Sequence, residues 1–300
     1  MSHPTPHPVS ASPSRQPRDD ELDVYGVTHP GKVRNSNQDH FLICSLRKQI
    51  QVHLTSLPDI GRLPRLENRL AFLAMVADGV GGSAGGETAS RVALEAVTRY
   101  LGHSVRCYYA GETHDDRTFL ADLQEAAMRC HGEILAESER DPDLAGMATT
   151  LTLWLSVWPR GYLLQVGDSR CYVLRNGELT QISRDQTMAQ ELVDAGVMAR
   201  AEADQTRWAH VLSSAIGGRQ TPPSVTRLDH AWDQVGLLCS DGLTRHVPDE
   251  RIRQRLREMT SAKQVCDDLL QDALDGGGTD NITILVGRTV PSGPLPAAES

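Results

Sequence analysis

The chain has 300 residues, 39% of them apolar, enough for one large domain or two small ones with a sizeable core. Its net charge of −9 argues against a nucleic acid or an acidic membrane surface as the main partner. No apolar run approaches 18 residues and the amino terminus lacks a signal-peptide core, so a cytoplasmic protein with no membrane span is expected. Residues 1–20 hold five prolines and four serines and read as a disordered tail. Asp23 to Thr28 alternates like a strand, His29-Pro-Gly31 turns, and the polar cluster Lys32 to Asp39 opens onto the strand Phe41 to Cys44. Gln49 to Leu54 alternates again, and Thr55 to Arg69, with Pro58, Gly61 and Pro64, reads as a surface insertion.

The chain is organised around the stretch from Leu73 to Gly86. An apolar run too short to span a membrane reads as a buried strand, ends at Asp78, and enters a turn in which Gly79, Gly81 and Gly82 let the backbone approach a ligand. Ala89, Val92, Ala93, Ala96, Val97, Tyr100 and Leu101 recur at helical spacing, so a helix with one buried face comes next. Residues 102–117 read as a polar loop, and Thr118 as the cap of a second helix that Asp141-Pro-Asp143 breaks. The middle of the chain is strand-rich: Thr149 to Val157, Tyr162 to Val166, Cys171 to Leu174, and Glu178 to Ile182, with Asn176-Gly177 as a hairpin turn. Residues 183–215 are polar and helix-tending. Val235 to Ser240 resumes the strands, two amphipathic helices fit 249–259 and 261–274, and Asn281 to Val286 is the last strand. Residues 290–300 read as a second tail.

Gly79-x-Gly81-x-x-Ala84 after a strand matches a loose dinucleotide fingerprint. Asp78 directly before the first glycine would repel a pyrophosphate, and the antiparallel meander is not a βαβ series. The other reading is a cation. Asp78-Gly79, Asp241-Gly242 and Gly278-Thr-Asp280-Asn281 each place an aspartate beside a turn at a strand edge. Taken singly, each is an ordinary turn residue. Gathered at one edge, the three would repel one another unless a cation neutralised them, and an all-oxygen set favours magnesium or manganese over zinc. None of the six cysteines lies in a Cys-x-x-Cys pair, and several sit in apolar runs as buried, reduced thiols.

Six motifs in order carry a resemblance: Gly31-x-Val33-Arg34-x-x-Asn37-Gln38-Asp39, Val76-Ala-Asp78-Gly79-Val-Gly81-Gly82, Gly146-Met-Ala-Thr149-Thr150, Val166-Gly-Asp168-Ser169-Arg170, Leu238-Cys-Ser-Asp241-Gly242-Leu243 and Gly278-Thr-Asp280-Asn281-Ile-Thr283. Over about residues 22–288 the chain resembles the bacterial metal-dependent Ser/Thr protein phosphatases of the PPM (type 2C) family. The resemblance implies an α+β fold, a four-layer αββα sandwich of two antiparallel sheets flanked by helices, spanning residues 21–289 with a flap at 183–215. It implies two Mn2+ or Mg2+ ions, with a third in a weaker site. Asp78 would bridge the ions, the Gly79 carbonyl would join it, Asp241 and Asp280 would complete the set, and Asp143 would hold the third ion. Gln38, Asp39 and Asn281 would support the ligands from behind, and Arg34 would clamp the phosphoryl group. Catalysis would rest on Arg34, Asp39 and Asp78, with a metal-bridging hydroxide attacking phosphorus. Asp168 and Arg170 would tie sheet to edge.

Three departures stand out. Val80 replaces the histidine of eukaryotic members, Gln38 replaces a common glutamate, and Ala148 a usual glycine. The expected substrates are phosphorylated proteins made by a Ser/Thr kinase, and the expected state is a monomer. The alternative is a non-catalytic phosphoprotein-binding module on a degenerate phosphatase fold, which the retained carboxylates disfavour.

Overall fold

The computed structural model of the chain describes residues 15–47, 69–81, 83–110, 116–203, 205–232 and 234–292. The expected strand at 49–54, most of the insertion at 55–69, and the tails at 1–14 and 293–300 lie outside the described residues. In chain order the elements are β1 (Leu22–His29), β2 (His40–Arg47), β3 (Arg69–Ala77), β4 (Gly79–Val80), α1 (Ser83–Ala110), α2 (Asp116–Arg140), β5 (Ala148–Thr149), β6 (Leu151–Val157), β7 (Arg160–Val166), β8 (Arg170–Arg175) and β9 (Glu178–Gln181). The remaining elements are α3 (Met188–Asp194), α4 (Arg200–Ala203), β10 (Ser224–Asp229), β11 (Gln234–Cys239), α5 (Asp241–Thr244), α6 (Asp249–Arg257), α7 (Ala262–Asp275) and β12 (Ile282–Thr289).

Two five-stranded sheets, β1-β12-β11-β8-β9 and β10-β7-β6-β3-β2, are antiparallel throughout. Three apolar layers hold them together. Leu73 and Met75 of β3 pack outward with Leu153 and Leu155 against Val97, Leu101 and Leu123 of α1 and α2. Ala74 and Val76, on the opposite face of β3, meet Leu238 and Leu285 of the other sheet. Leu237, Ile284 and Val286 pack outward against Ile252, Val265 and Leu269 of α6 and α7. The result is the expected four-layer αββα stack. Because β3 is covered on both faces, its sequence is continuously apolar rather than alternating.

Several boundaries differ from the sequence expectation. α1 continues through Ala110 instead of ending near residue 101, with Val105 fully buried on its inner face. α2 begins at Asp116, ahead of Thr118, because the Asp116 carboxylate accepts from Arg160, Tyr162 and Arg227. β10 has no counterpart in the sequence reading: it is polar and largely exposed, and among the described residues it is an edge strand paired only with β7. Residues 15–20, read as tail, pack instead: Glu21 accepts from Arg15 and Arg18, and Asp19 pairs with Arg47 and Arg69. The hairpin at Asn176-Gly177 has positive φ at both residues (53° and 80°), as a two-residue type I′ turn requires.

Candidate metal centre

Strand ends from both sheets meet at one edge of the sandwich. Asp39 precedes β2, Asp78 follows β3, Asp241 follows β11 and Asp280 lies just before β12. Each is fixed through its neighbours. The Asp78 amide donates to Thr150 Oγ1 at 3.0 Å, and its carbonyl accepts from the Thr150 amide and Thr149 Oγ1. Thr150 in turn meets Ser169 Oγ at 2.8 Å, linking Asp78 to the turn before β8. Asn281 Oδ1 accepts from the Gln38 amide at 2.8 Å, while its Nδ2 donates to the carbonyls of Pro30 and Ser36. That one side chain ties the loop carrying Arg34, Gln38 and Asp39 to Asp280. Gln38 Nε2 reaches the Gly81 carbonyl, joining the same loop to the turn after β4.

The cluster is electrostatically loaded. Asp39 is buried, and its Oδ2 accepts from Ser240 Oγ (2.7 Å) and Thr283 Oγ1 (2.8 Å), while Oδ1 finds no hydrogen-bond donor among the described residues. Burial pushes the Asp39 carboxyl up to about 6, against the pull of those two hydroxyls. Asp78 is held well above the ordinary carboxylate range by burial first and then by Asp39, Asp241, Asp168 and Asp280. Burial also raises Asp241, against the nearby Arg245 guanidinium. Asp280 lies among cations: Arg34 donates to it from Nε (2.8 Å) and Nη2 (2.9 Å), and Arg245 from Nη1 (2.7 Å). Arg245 Nη2 donates to Asp241.

Asp168 is a site residue absent from the expected ligand set. It is buried, raised by desolvation and then by Asp241, and lines the cleft beside the edge. Its motif was legible in the sequence, but its inclusion depends on where the β7–β8 turn lands. Arg170 makes three hydrogen bonds to Asp185. Asp143 stands apart: it is exposed in a short 3-10 turn, and among the described residues no hydrogen bond or ion pair joins its side chain to the cluster. Its amide donates to Asp141 Oδ1. The cleft, of about 690 Å³, runs between this edge and α3 and α4, and Asp168, Gln190, Arg200, His210, Asp241 and Arg245 line it.

A model of the family described as protein phosphatase 2C matches residues 63–276. The chain belongs to the protein phosphatase 2C family. The serine/threonine protein phosphatase PstP of Mycobacterium tuberculosis is 37% identical over 220 residues, 73% of this chain and 41% of that protein, so the chain spans less than half of that relative's length. The serine/threonine phosphatase stp of Listeria monocytogenes is 30% identical over 71% of this chain and 83% of that protein. A crystal structure of the PstP catalytic domain in complex with two manganese ions aligns with TM-score 0.69 and 33% identity, covering 90% of this chain and 99% of that one.

The donor chemistry of this edge fits such ions. Asp39, Asp78, Asp168, Asp241 and Asp280 supply only oxygen, the preference of a hard divalent cation. Their mutual repulsion and the unpartnered buried Oδ1 of Asp39 are what a cation would relieve. Among the described residues no three acidic, histidine or cysteine side chains already close around one point. Arg34 and Arg245 hold Asp280 and Asp241 instead. Burial pushes the Cys130, Cys239 and Cys266 thiols up to about 12, which leaves these three poor nucleophiles, Cys239 included although Arg245 follows it at Cys-x5-Arg spacing.

Proposed function

We propose that the chain is a metal-dependent phosphatase that hydrolyses phosphoserine and phosphothreonine in proteins. The observation that carries this reading is the convergence of Asp39, Asp78, Asp241 and Asp280 from separate strand ends onto one edge, with Arg34 at its rim. Asp78, the Gly79 carbonyl, Asp241 and Asp280 would hold two Mn2+ or Mg2+ ions, and Asp143 a third, weaker one. When bound, the ions would supply a nucleophile at neutral pH and neutralise charge gathering on the phosphoryl oxygens. Arg34 is 53% exposed and reaches Asp280 from the solvent side, so its planar fork can turn to orient a phosphoryl group. Asp39 Oδ1 is the oxygen left to accept a proton from water, because Ser240 and Thr283 fix Oδ2. Gln38 and Asn281 hold the loop that presents both residues. A phosphopeptide would lie in the cleft between Asp241 and α3–α4.

The protein substrates would be products of a Ser/Thr kinase, and the enzyme a cytoplasmic monomer. Among the described residues no helix is long and apolar enough to cross a membrane. The decisive experiment is hydrolysis of a phosphothreonine peptide with Mn2+ and then with excess chelator. Manganese-dependent turnover that chelator abolishes is expected. A folded sample that binds the peptide without turning it over would instead establish the non-catalytic binding module.

A further inference from the structure

We propose that Arg245 is a built-in counter-ion that competes with divalent cations for Asp241 and Asp280, and so sets how tightly this edge holds metal. The inference rests on the reading of this edge as a metal centre. α5 is a single turn that begins at Asp241, which brings Arg245, four residues on, back over the same carboxylate. Nη2 donates to Asp241 Oδ2, and Nη1 donates to Asp280 Oδ2 at 2.7 Å. One guanidinium thus bridges two carboxylates that come from different strands. Its side chain is 26% exposed, against 53% for Arg34, which pairs with Asp280. Asp168 and Asp78 add to the field around it.

Arg245 and a divalent ion would make opposite demands on the same atoms. The Oδ2 oxygens of Asp241 and Asp280 point at the guanidinium, and a hard cation would need those lone pairs for itself. A bound ion beside an unmoved Arg245 would leave two positive centres sharing carboxylates in a partly buried site, where repulsion is screened little. Metal binding would therefore require Arg245 to swing away from both carboxylates. Its two charge-assisted hydrogen bonds oppose that movement. With the guanidinium in place, Arg245 supplies part of the neutralisation that five clustered aspartates need, and the edge folds without depending wholly on metal.

The test is calorimetric titration of chelator-stripped wild type and Arg245→Gln with Mn2+, together with melting of both in chelator. Arg245→Gln should bind Mn2+ at least about tenfold more tightly, since each of the two displaced charge-assisted hydrogen bonds is worth about that factor or more and the glutamine amide can replace at most one. In chelator it should melt below wild type, and saturating Mn2+ should close or reverse that gap. Equal or weaker Mn2+ binding by a folded Arg245→Gln overturns the inference while leaving the metal-centre reading intact. Absence of Mn2+ binding by both proteins overturns both. Should Arg245→Gln fail to fold in chelator, Arg245→Lys carries the comparison, because one ammonium cannot bridge both carboxylates as the fork does. It should bind Mn2+ more tightly than wild type, and unchanged affinity would count against the inference.

Discussion

Asp78 owes its raised pKa to burial first and then to four other carboxylates, Asp39, Asp241, Asp168 and Asp280. A carboxyl raised on folding contributes most to stability at low pH and loses that contribution as pH rises through its folded value. At neutral pH without metal, Asp78 therefore opposes folding. Asp78→Asn keeps the backbone contacts with Thr149 and Thr150 but removes the charge. Turnover should fall by about 10³-fold or more, as for loss of a main electrostatic group in an active site, while the melting temperature in chelator should rise. A variant that keeps wild-type turnover would remove Asp78 from the centre. At this scale the sequence was informative wherever a carboxylate abuts its own turn, as at Asp78-Gly79 and Asp241-Gly242. Arg245 was not legible as a partner of Asp280, because that pairing exists only once the end of β11 and the start of β12 lie side by side.

The segment Asp280-Asn281 is wedged between two turns that have room only for glycine. A Cβ on Gly31 would lie 2.2 Å from the Asp280 carbonyl oxygen, and one on Gly242 would lie 1.9 Å from that of Asn281. Ser240 and Thr283 hold the adjoining strand ends in register, with the Ser240 amide 3.0 Å from the Thr283 carbonyl. Gly242→Ala must therefore drive the start of α5 away from β12, separating Asp241 from Asp280. A loss of about 3 kcal/mol in chemical denaturation is expected from such overpacking, with Mn2+ binding weakened in calorimetry. Wild-type stability and affinity would show that α5 can shift without moving its carboxylate. Elements with one-sided or fully apolar burial, such as β3 and α7, follow from periodicity alone. β10 does not: Ser224 to Asp229 is polar and exposed, and it is a strand because β7 offers a free edge. The reach of α1 beyond residue 101 depends in the same way on Val105 finding cover in the layer beneath it.

The sandwich is built with its polar chemistry at one end and an aromatic cluster at the other. At the metal edge, a ligand that binds only the folded state stabilises it by mass action. Mn2+ at a hundred times its dissociation constant should add about 2.7 kcal/mol, a rise of about 5–10 °C in melting temperature for a domain of this size, which excess chelator should reverse. At the opposite end Arg15 lies over the Trp232 ring at 4.9 Å, and the half-buried His230 ring lies edge-on to Trp154 and stacked with Trp158. His230 Nδ1 meets Gln234 Nε2 at 3.2 Å, its Nε2 has no partner among the described residues, and burial lowers its pKa from the ordinary 6.5 to about 4, with Asp229 pulling upward. The unfolded chain therefore takes up this proton first. The stability contributed by neutral His230 is complete above pH 6.5, is lost as pH falls from 6.5 toward 4, and declines no further below that. At about 1.4 kcal/mol per pH unit the interval is worth about 3 kcal/mol. His230→Phe keeps an aromatic ring beside the tryptophans and cannot be protonated, so the difference in unfolding free energy between wild type and variant should change by about that amount from pH 7 to pH 4. The metal edge is common to both proteins and cancels in the difference. A flat difference would assign the acid loss to Glu21 and Asp272 instead, whose carboxyls Arg15 and Arg255 hold below the ordinary range and whose loss therefore comes at lower pH.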